Sequence, residues 1–195
     1  LTMLSIWDSL RNKMKSMIIS DKTLSASYIA GILDGDGCVY LDKDLRSIIS
    51  IRITCDSRSD CSLIIDCLKN LDISFKMEDS KNSNKTDIII FNWNNFIKFF
   101  IYKSYFLYNT KRRIKFLEGL TNHRRSKVML RTLKAIESKC YSGHLICDHM
   151  GIQRKHIRRV YNYLEQLKTL NMIDYDGKNN ICLTENGKNF LRILE

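Results

Sequence analysis

The sequence predicts an α+β fold: an antiparallel sheet with helices on one face, followed by a smaller, more basic module of three helices and a hairpin. Three observations predict it. Helical three- and four-residue apolar spacing switches twice to period-two alternation between residues 20 and 95. Charge divides unevenly, with 18 basic and 14 acidic groups in residues 1–120 (net +4) and 14 basic and 7 acidic groups in residues 121–195 (net +7). A basic hinge, His123-Arg124-Arg125-Ser126-Lys127, lies at the change. The expected division is residues 1–122, of which 1–20 form a helical extension, and residues 123–195.

The elements follow in order. Leu4, Trp7, Leu10, Met14 and Met17 suit an amphipathic helix over 3–18. Thr23 or Ser25 can cap a second helix running to about Leu33, ended by Asp34-Gly35-Asp36-Gly37. A strand from Cys38 to Asp42 turns at Lys43-Asp44. Ile49, Ile51, Ile53 and Cys55 then alternate with Ser50, Arg52, Thr54 and Asp56, giving one apolar and one polar face. Residues 60–71 return to helical spacing. Ile73, Phe75 and Met77 alternate again, with Ser74, Lys76 and Glu78 on the polar side. A turn at Lys81-Asn82-Ser83-Asn84 leads to an arm from Thr86 to Trp93. Helices over 94–107 and 111–121 close the half, and Phe96, Phe99, Phe100, Tyr102, Tyr105 and Phe106 read as helix-core packing. In the second half, helices are expected over 125–139 (Val128, Leu130, Leu133, Ile136), 143–150 and 153–170 (Ile157, Val160, Leu164, Leu167). A ribbon follows, from Met172 to Tyr175 and from Ile181 to Thr184, around a turn Asp176-Gly177-Lys178-Asn179-Asn180. A last helix carries Phe190, Leu191 and Leu194.

Composition narrows the function. The 195 residues are 44% hydrophobic and 27% charged, which is the composition of a globular chain. A net charge of +11 points to a polyanionic partner, nucleic acid first. No run approaches the roughly 18 apolar residues of a membrane helix. Asp8, Arg11, Lys13 and Lys15 break the N-terminal stretch that a signal peptide would need. The seven cysteines are odd in number and scattered, with no CxxC, and read as reduced thiols of an intracellular protein, in cytoplasm, nucleoid or an organelle. Cys140, His144, Cys147 and His149 contain four zinc-capable side chains, but their spacing is unlike that of familiar zinc sites. Core cysteines with surface histidines are the preferred reading there.

The stretch that carries chemistry is Ile29-Ala30-Gly31-Ile32-Leu33-Asp34-Gly35-Asp36-Gly37. Gly31 within a helix costs about 1 kcal/mol relative to alanine. That cost makes sense where another backbone comes close. Two acids then stand at the negative end of the helix dipole, an unfavourable place for them. Acids gathered beside a basic polar sheet face suit a hard divalent cation such as Mg²⁺.

This segment resembles the LAGLIDADG motif of the homing endonucleases, in the variant ending Asp-Gly-Asp-Gly, and the order of elements over about 20–122 is similar too. The resemblance implies an αββαββα domain whose saddle-shaped sheet lies in the DNA major groove. It implies that Asp36 binds Mg²⁺ over the scissile phosphate, that the Gly35 carbonyl adds a ligand, and that Asp34 supports the helix end. It places Asp56 and Lys111 where the family has a second-strand polar residue, commonly glutamine, and a lysine. Asp56 departs from that pattern. One motif supplies half of a two-acid site, so a homodimer is implied, with Ala30, Gly31 and Leu33 at the motif-helix interface.

Ser50, Arg52, Thr54 and Lys76 are the candidate DNA contacts on the sheet. The second half resembles a winged helix-turn-helix domain, through its topology and the step Leu183-Thr184-Glu185-Asn186-Gly187-Lys188. Arg154, Lys155, Arg158, Arg159 and Asn162 would then line a recognition helix, with Lys178 at the wing tip. The function expected is site-specific, Mg²⁺-dependent cleavage of double-stranded DNA by a homodimer. A non-catalytic DNA-binding regulator on the same scaffold is the alternative, and a helper that binds host intron RNA is a third.

Overall fold

The computed structural model describes residues 3–56, 61–79, 84–102, 108–176, 178 and 180–194, with side chains from residue 5 onward. The expectations for the Leu4 side chain, Lys81 to Ser83, Tyr105, Phe106, Gly177 and Asn179 lie outside the described residues. The chain forms two compact units, Leu1–Leu120 and Thr121–Glu195.

The first unit runs α1 (Met3–Ser20), α2 (Lys22–Asp36), β1 (Gly37–Leu41), β2 (Ile48–Cys55), α3 (Ser62–Asn70), β3 (Lys76–Asp79), β4 (Thr86–Phe91), α4 (Trp93–Ile101) and α5 (Thr110–Asn122). From α2 to α4 this is the expected αββαββα order. The sheet is antiparallel throughout, in the order β1-β2-β4-β3. Its inner face carries Val39, Ile51, Ile53, Ile88 and Ile90, all at most 1% exposed. Ile29, Ala30 and Leu33 of α2, Leu68 of α3, Phe96 and Phe99 of α4, and Phe116 of α5 complete this core. Each such aliphatic side chain contributes about 1.5–3 kcal/mol by leaving water. The core therefore fixes which sheet face stays open.

Several local expectations change. The α2 cap is Asp21, whose Oδ1 accepts the Thr23 and Leu24 backbone N–H groups at 2.6 and 3.1 Å. Ser25 is buried instead, where its hydroxyl donates to the Ile18 carbonyl (2.8 Å) and accepts from Asn70 (3.0 Å), pinning α1, α2 and α3 together. The helix continues through both acids to Asp36 rather than stopping at Leu33. The pairing of β1 with β2 slips between Tyr40 and Leu41, leaving one extra residue on β2. That bulge turns Ile48 inward (4% exposed) and Ile49 outward (55%), against the simple alternation. Strand β3 starts only at Lys76, so Ser74 lies outside it and bonds to Asn95. The α1 stripe is not core: Trp7 is 67% exposed and Met14 63%.

The second unit runs α6 (Arg124–Glu137), α7 (Gly143–Met150), a 3₁₀ turn (Arg154–His156), α8 (Ile157–Thr169), β5 (Ile173–Tyr175), β6 (Ile181–Leu183) and α9 (Glu185–Leu194). Its core is Met129, Leu133, Ile146, Cys147, Val160, Leu164, Met172 and Phe190. On α6, Met129, Thr132, Leu133, Ala135 and Ile136 are the buried positions, while Val128 and Leu130 are half-buried. Gly151 ends α7 in the left-handed region (φ 66°), which lets the chain reverse within a few residues into α8.

The α6 cap is a histidine. His123 Nδ1 accepts the Arg125 backbone N–H at 3.2 Å, which only the neutral ring can do. Burial, then the nearby Arg125 charge, hold the His123 pKa below its ordinary value of about 6.5. The unfolded chain therefore binds this proton first as pH falls. The stabilisation is full above pH ~6.5 and declines from there down to the lower folded pKa. His123→Asn keeps a cap and is expected to flatten this part of the curve, as read by thermal unfolding between pH 5 and 8.

Candidate functional site

The end of α2 is held by α5. The Asp34 carboxylate accepts the backbone N–H groups of Tyr108 (2.8 Å) and Asn109 (3.0 Å), just ahead of α5. Asn109 in turn caps α5 through the Arg112 N–H (3.1 Å). An acid at the wrong end of its own helix is thus at the favourable, positive end of another. Arg112 closes the arrangement: its Nη1 donates to the carbonyls of Leu33 (3.1 Å), Asp34 (2.8 Å) and Gly35 (2.9 Å). A cation there offsets the negative end of α2. Sequence reading missed Arg112 and favoured its neighbour Lys111. The sequence pattern does not say which of the two neighbouring basic residues turns toward α2.

Arg112→Ala is expected to cost the first unit about 2 kcal/mol, because three carbonyls lose a charged donor. Arg112→Lys should recover part of it, keeping the charge without the planar fork. Urea unfolding reads both variants, and an unchanged midpoint for the alanine variant would contradict the role.

Asp36 is exposed and lines a cleft of about 370 Å³ with Tyr28, Thr54, Asp56 and Lys85. Asp56, at the end of β2, pairs loosely with Lys85 (3.8 Å). Burial, then the adjacent Cys67 and Cys55, push the Tyr28 pKa above 10, so its hydroxyl stays a proton donor at neutral pH. Asp36 and Asp56 therefore line one cleft. Lys111 does not: it lines a separate depression with Tyr40, Asp42, Arg46 and Glu118.

The donor set suits a hard, oxygen-seeking divalent cation in part. Asp36 and Asp56 present carboxylates to one cleft, whereas the Gly35 carbonyl already accepts from Arg112. Among the described residues no three His, Cys, Asp or Glu side chains gather as a metal cage. An ion here would complete its shell with water and substrate oxygens. Cys147 is buried and His144 and His149 are exposed, as the core-cysteine reading expected, but Cys140 is only half-buried.

The open sheet face is ordered in rows set by strand register. Cys38, Arg52, Ile89 and Lys76 face one another across four strands, and Thr54, Asp87 and Glu78 form the row beside them. Asp87 organises both rows. Its Oδ2 accepts from Arg52 Nη1 (2.9 Å) and its Oδ1 from the Thr54 hydroxyl (2.7 Å). The Arg52 guanidinium also lies over the Tyr40 ring, 5.3 Å from its centroid. Lys76 is exposed with its ammonium over the Phe91 ring, and Ser50 stands opposite Tyr40 and Phe91. Asp87 was missed in the sequence because its role depends on register, which spacing alone does not fix.

The expected dimer contacts separate. Ala30 and Leu33 are fully enclosed by their own unit and cannot form an outer surface. Gly31 is outward, and a Cβ added at Gly31 or Gly35 would meet nothing within 4 Å. The outward face of α2 is carried by Leu24, Ser27, Gly31 and Gly35.

In the second unit Arg154, Lys155, Arg158, Arg159 and Asn162 are exposed at and beyond the start of α8, opposite its buried Val160, Leu164 and Leu167. Arg154 pairs with Asp148 (3.0 Å), and this hydrogen bond holds the carboxyl of Asp148 below the ordinary range. Lys155, Arg158 and Arg159 make no ion pair among the described residues. They stand at the positive end of the α8 dipole, which disfavours cations unless an anion joins them. Lys178 is exposed in the β5–β6 turn, which Asp176 stabilises by accepting the N–H groups of Lys178 and Asn180 (2.8 Å each). No helix among the described residues is long and apolar enough to cross a membrane.

No family model and no curated protein matches the chain. Among solved structures it is similar to the homing endonuclease I-CvuI in complex with its target, at 17% identity and TM-score 0.37, over 89% of this chain and 96% of that one. It is also similar to the group I intron-encoded homing endonuclease I-CeuI complexed with DNA, at 16% identity and TM-score 0.38, over 68% and 78%. A third is the archaeal intron-encoded homing endonuclease I-Vdi141I complexed with DNA, at 15% identity and TM-score 0.30, over 89% and 96%.

Proposed function

We propose that the chain is a Mg²⁺-dependent endonuclease of the LAGLIDADG type that cuts double-stranded DNA as a homodimer, with the second unit a winged helix that lengthens the DNA contact. The observation that carries the reading is the placement of Asp36 and Asp56 in one cleft at the end of an otherwise open, basic-and-polar sheet face. Duplex DNA laid on that face would meet Arg52, Lys76, Ser50 and Thr54. Arg52 is pre-ordered by Asp87 and Tyr40, so little rotamer entropy is lost when it contacts a base edge.

Asp36 and Asp56 would hold the cation, which when bound neutralises charge building on the phosphate and favours an attacking hydroxide. Tyr28 keeps its proton and can donate to a phosphate oxygen. Asp34 and Arg112 position the helix end that presents Asp36. One such cleft per protomer addresses one strand, so two protomers related by a twofold axis would cut both. Lys155, Arg158 and Arg159 would bind phosphates beyond the sheet footprint. An intracellular setting belongs with this reading.

A second reading, a DNA-binding regulator without cleavage, is favoured by one observation: Arg112 occupies the Gly35 carbonyl, and among the described residues two carboxylates line the cleft. The two readings part in a single experiment. The protein is incubated with a randomised duplex library in Mg²⁺ or in EDTA, and bound and broken molecules are sequenced separately. The endonuclease reading expects Mg²⁺-dependent breaks within the bound sequences. Sequence-selective binding with no breaks in Mg²⁺, Mn²⁺ or Ca²⁺ would favour the regulator.

A further inference from the structure

We infer that α1 is a docking helix for a second copy of this chain, pairing with its twofold mate in parallel and in register. The inference rests on the homodimer reading above and adds an interface to it. In α1, Trp7, Leu10, Met14 and Met17 are separated by three, four and three residues, and they are 67%, 48%, 63% and 54% exposed. That spacing is the a and d seam of a coiled coil. The helix meets its own unit through a different face, where Lys15, Ile18 and Ile19 are half-buried and α2 and α3 pack.

The spacing, area and rim charges together select the occupant. A 3.5-residue repeat makes a narrow seam that fits a helix, whereas a membrane surface suits a wider apolar face. With Ile6 beside them, the four side chains expose on the order of 500 Å² of apolar surface, near the most a soluble monomer usually shows. A symmetric pair would cover on the order of 1,000 Å², about the minimum for a specific interface. In this heptad frame Ile6 and Lys13 take g positions, and Arg11 and Ile18 take e positions. A parallel pair sets Ile6 beside the partner's Arg11, and Lys13 beside the partner's Ile18, so no like charges meet. An antiparallel pair would oppose Lys13 to the partner's Lys13 and Arg11 to the partner's Arg11. The seam spans little more than one heptad and would not hold an isolated peptide together. Here α1 is already folded on α2 and α3.

The test uses the full chain. Leu10→Cys should give a covalent dimer under mild oxidation, with mass spectrometry locating the bond between the two introduced thiols. Asn12→Cys, on the far side of the helix, should not. Trp7→Glu with Met14→Glu should weaken self-association at least tenfold in sedimentation equilibrium, with an unchanged circular dichroism spectrum. Failure of the two introduced thiols to join in the Leu10→Cys variant, or unchanged self-association of the double variant, would overturn the inference. So would uptake of the monomer by phosphatidylglycerol vesicles, or by a helical peptide with glutamates flanking a leucine seam, if Trp7→Glu abolished it. A parent protein that breaks no DNA, together with a Leu10→Cys variant that forms the cross-link, would sink the endonuclease reading alone, and breakage by the parent without the cross-link in the variant would sink only this inference.

Discussion

Changing Asp36 to asparagine is expected to slow strand breakage by on the order of a thousandfold, while DNA affinity stays within a few-fold of the parent. Asparagine keeps the size of the side chain but not its charge. It binds a divalent cation weakly and adds no repulsion toward phosphate. The exposed position of Asp36 means its own unit loses nothing in packing, so unfolding should be unchanged. Asp34→Asn is the internal contrast. Its carboxylate accepts two backbone N–H groups, and an amide can turn only one oxygen toward them. That variant should lose stability first, by about 1–2 kcal/mol. Two acids two residues apart would then fail in different ways. Gel assays of breakage and binding, with urea unfolding beside them, separate the two outcomes.

Gly37→Ala should destabilise the first unit by about 3 kcal/mol, or roughly 10 °C in its unfolding temperature. The cause is space rather than backbone conformation, since Gly37 has ordinary extended angles (φ −82°, ψ 146°). A Cβ there would meet the Leu33 carbonyl oxygen at 2.6 Å and its Cα at 2.7 Å. Neither can move away cheaply, because the Gly37 N–H donates to that same carbonyl as α2 passes into β1. Gly31→Ala and Gly35→Ala meet open space in the protomer and remove a helix-weakening residue. They should leave it as stable or up to about 1 kcal/mol more so. If the outward face of α2 pairs across a twofold axis, the same two changes should weaken self-association. A glycine series read by thermal melting and by sedimentation distinguishes the three positions.

Much of this was legible in the sequence for a physical reason. Period-two alternation from Ile51 to Cys55 and helical spacing in α3 and α8 are one-dimensional traces of burial, so elements and core faces followed from them. Asp36 was singled out by the nine-residue motif it belongs to, and Asp56 only by what the family resemblance implied. What escaped depended on the third dimension. The bulge that reverses Ile48 and Ile49 is set by strand pairing. Asp87 matters only because register puts it beside Arg52 and Thr54. Arg112 matters only because the fold sets its guanidinium against the carbonyls at the end of α2. The α1 stripe was legible as an amphipathic helix, but amphipathic spacing does not say which surface the apolar side meets, and in the protomer that side is exposed.

Mixing protomers puts the whole account at risk at once. Wild-type and Asp36→Asn chains, differently tagged, are combined and the mixed dimers purified and given supercoiled DNA bearing a selected site, with Mg²⁺. One competent cleft in each pair should break one strand, so the product should be open circles with almost no linear DNA. Linear product at the wild-type rate would mean that Asp36 does not supply the chemistry, and intact supercoils would mean that the two clefts do not act on separate strands.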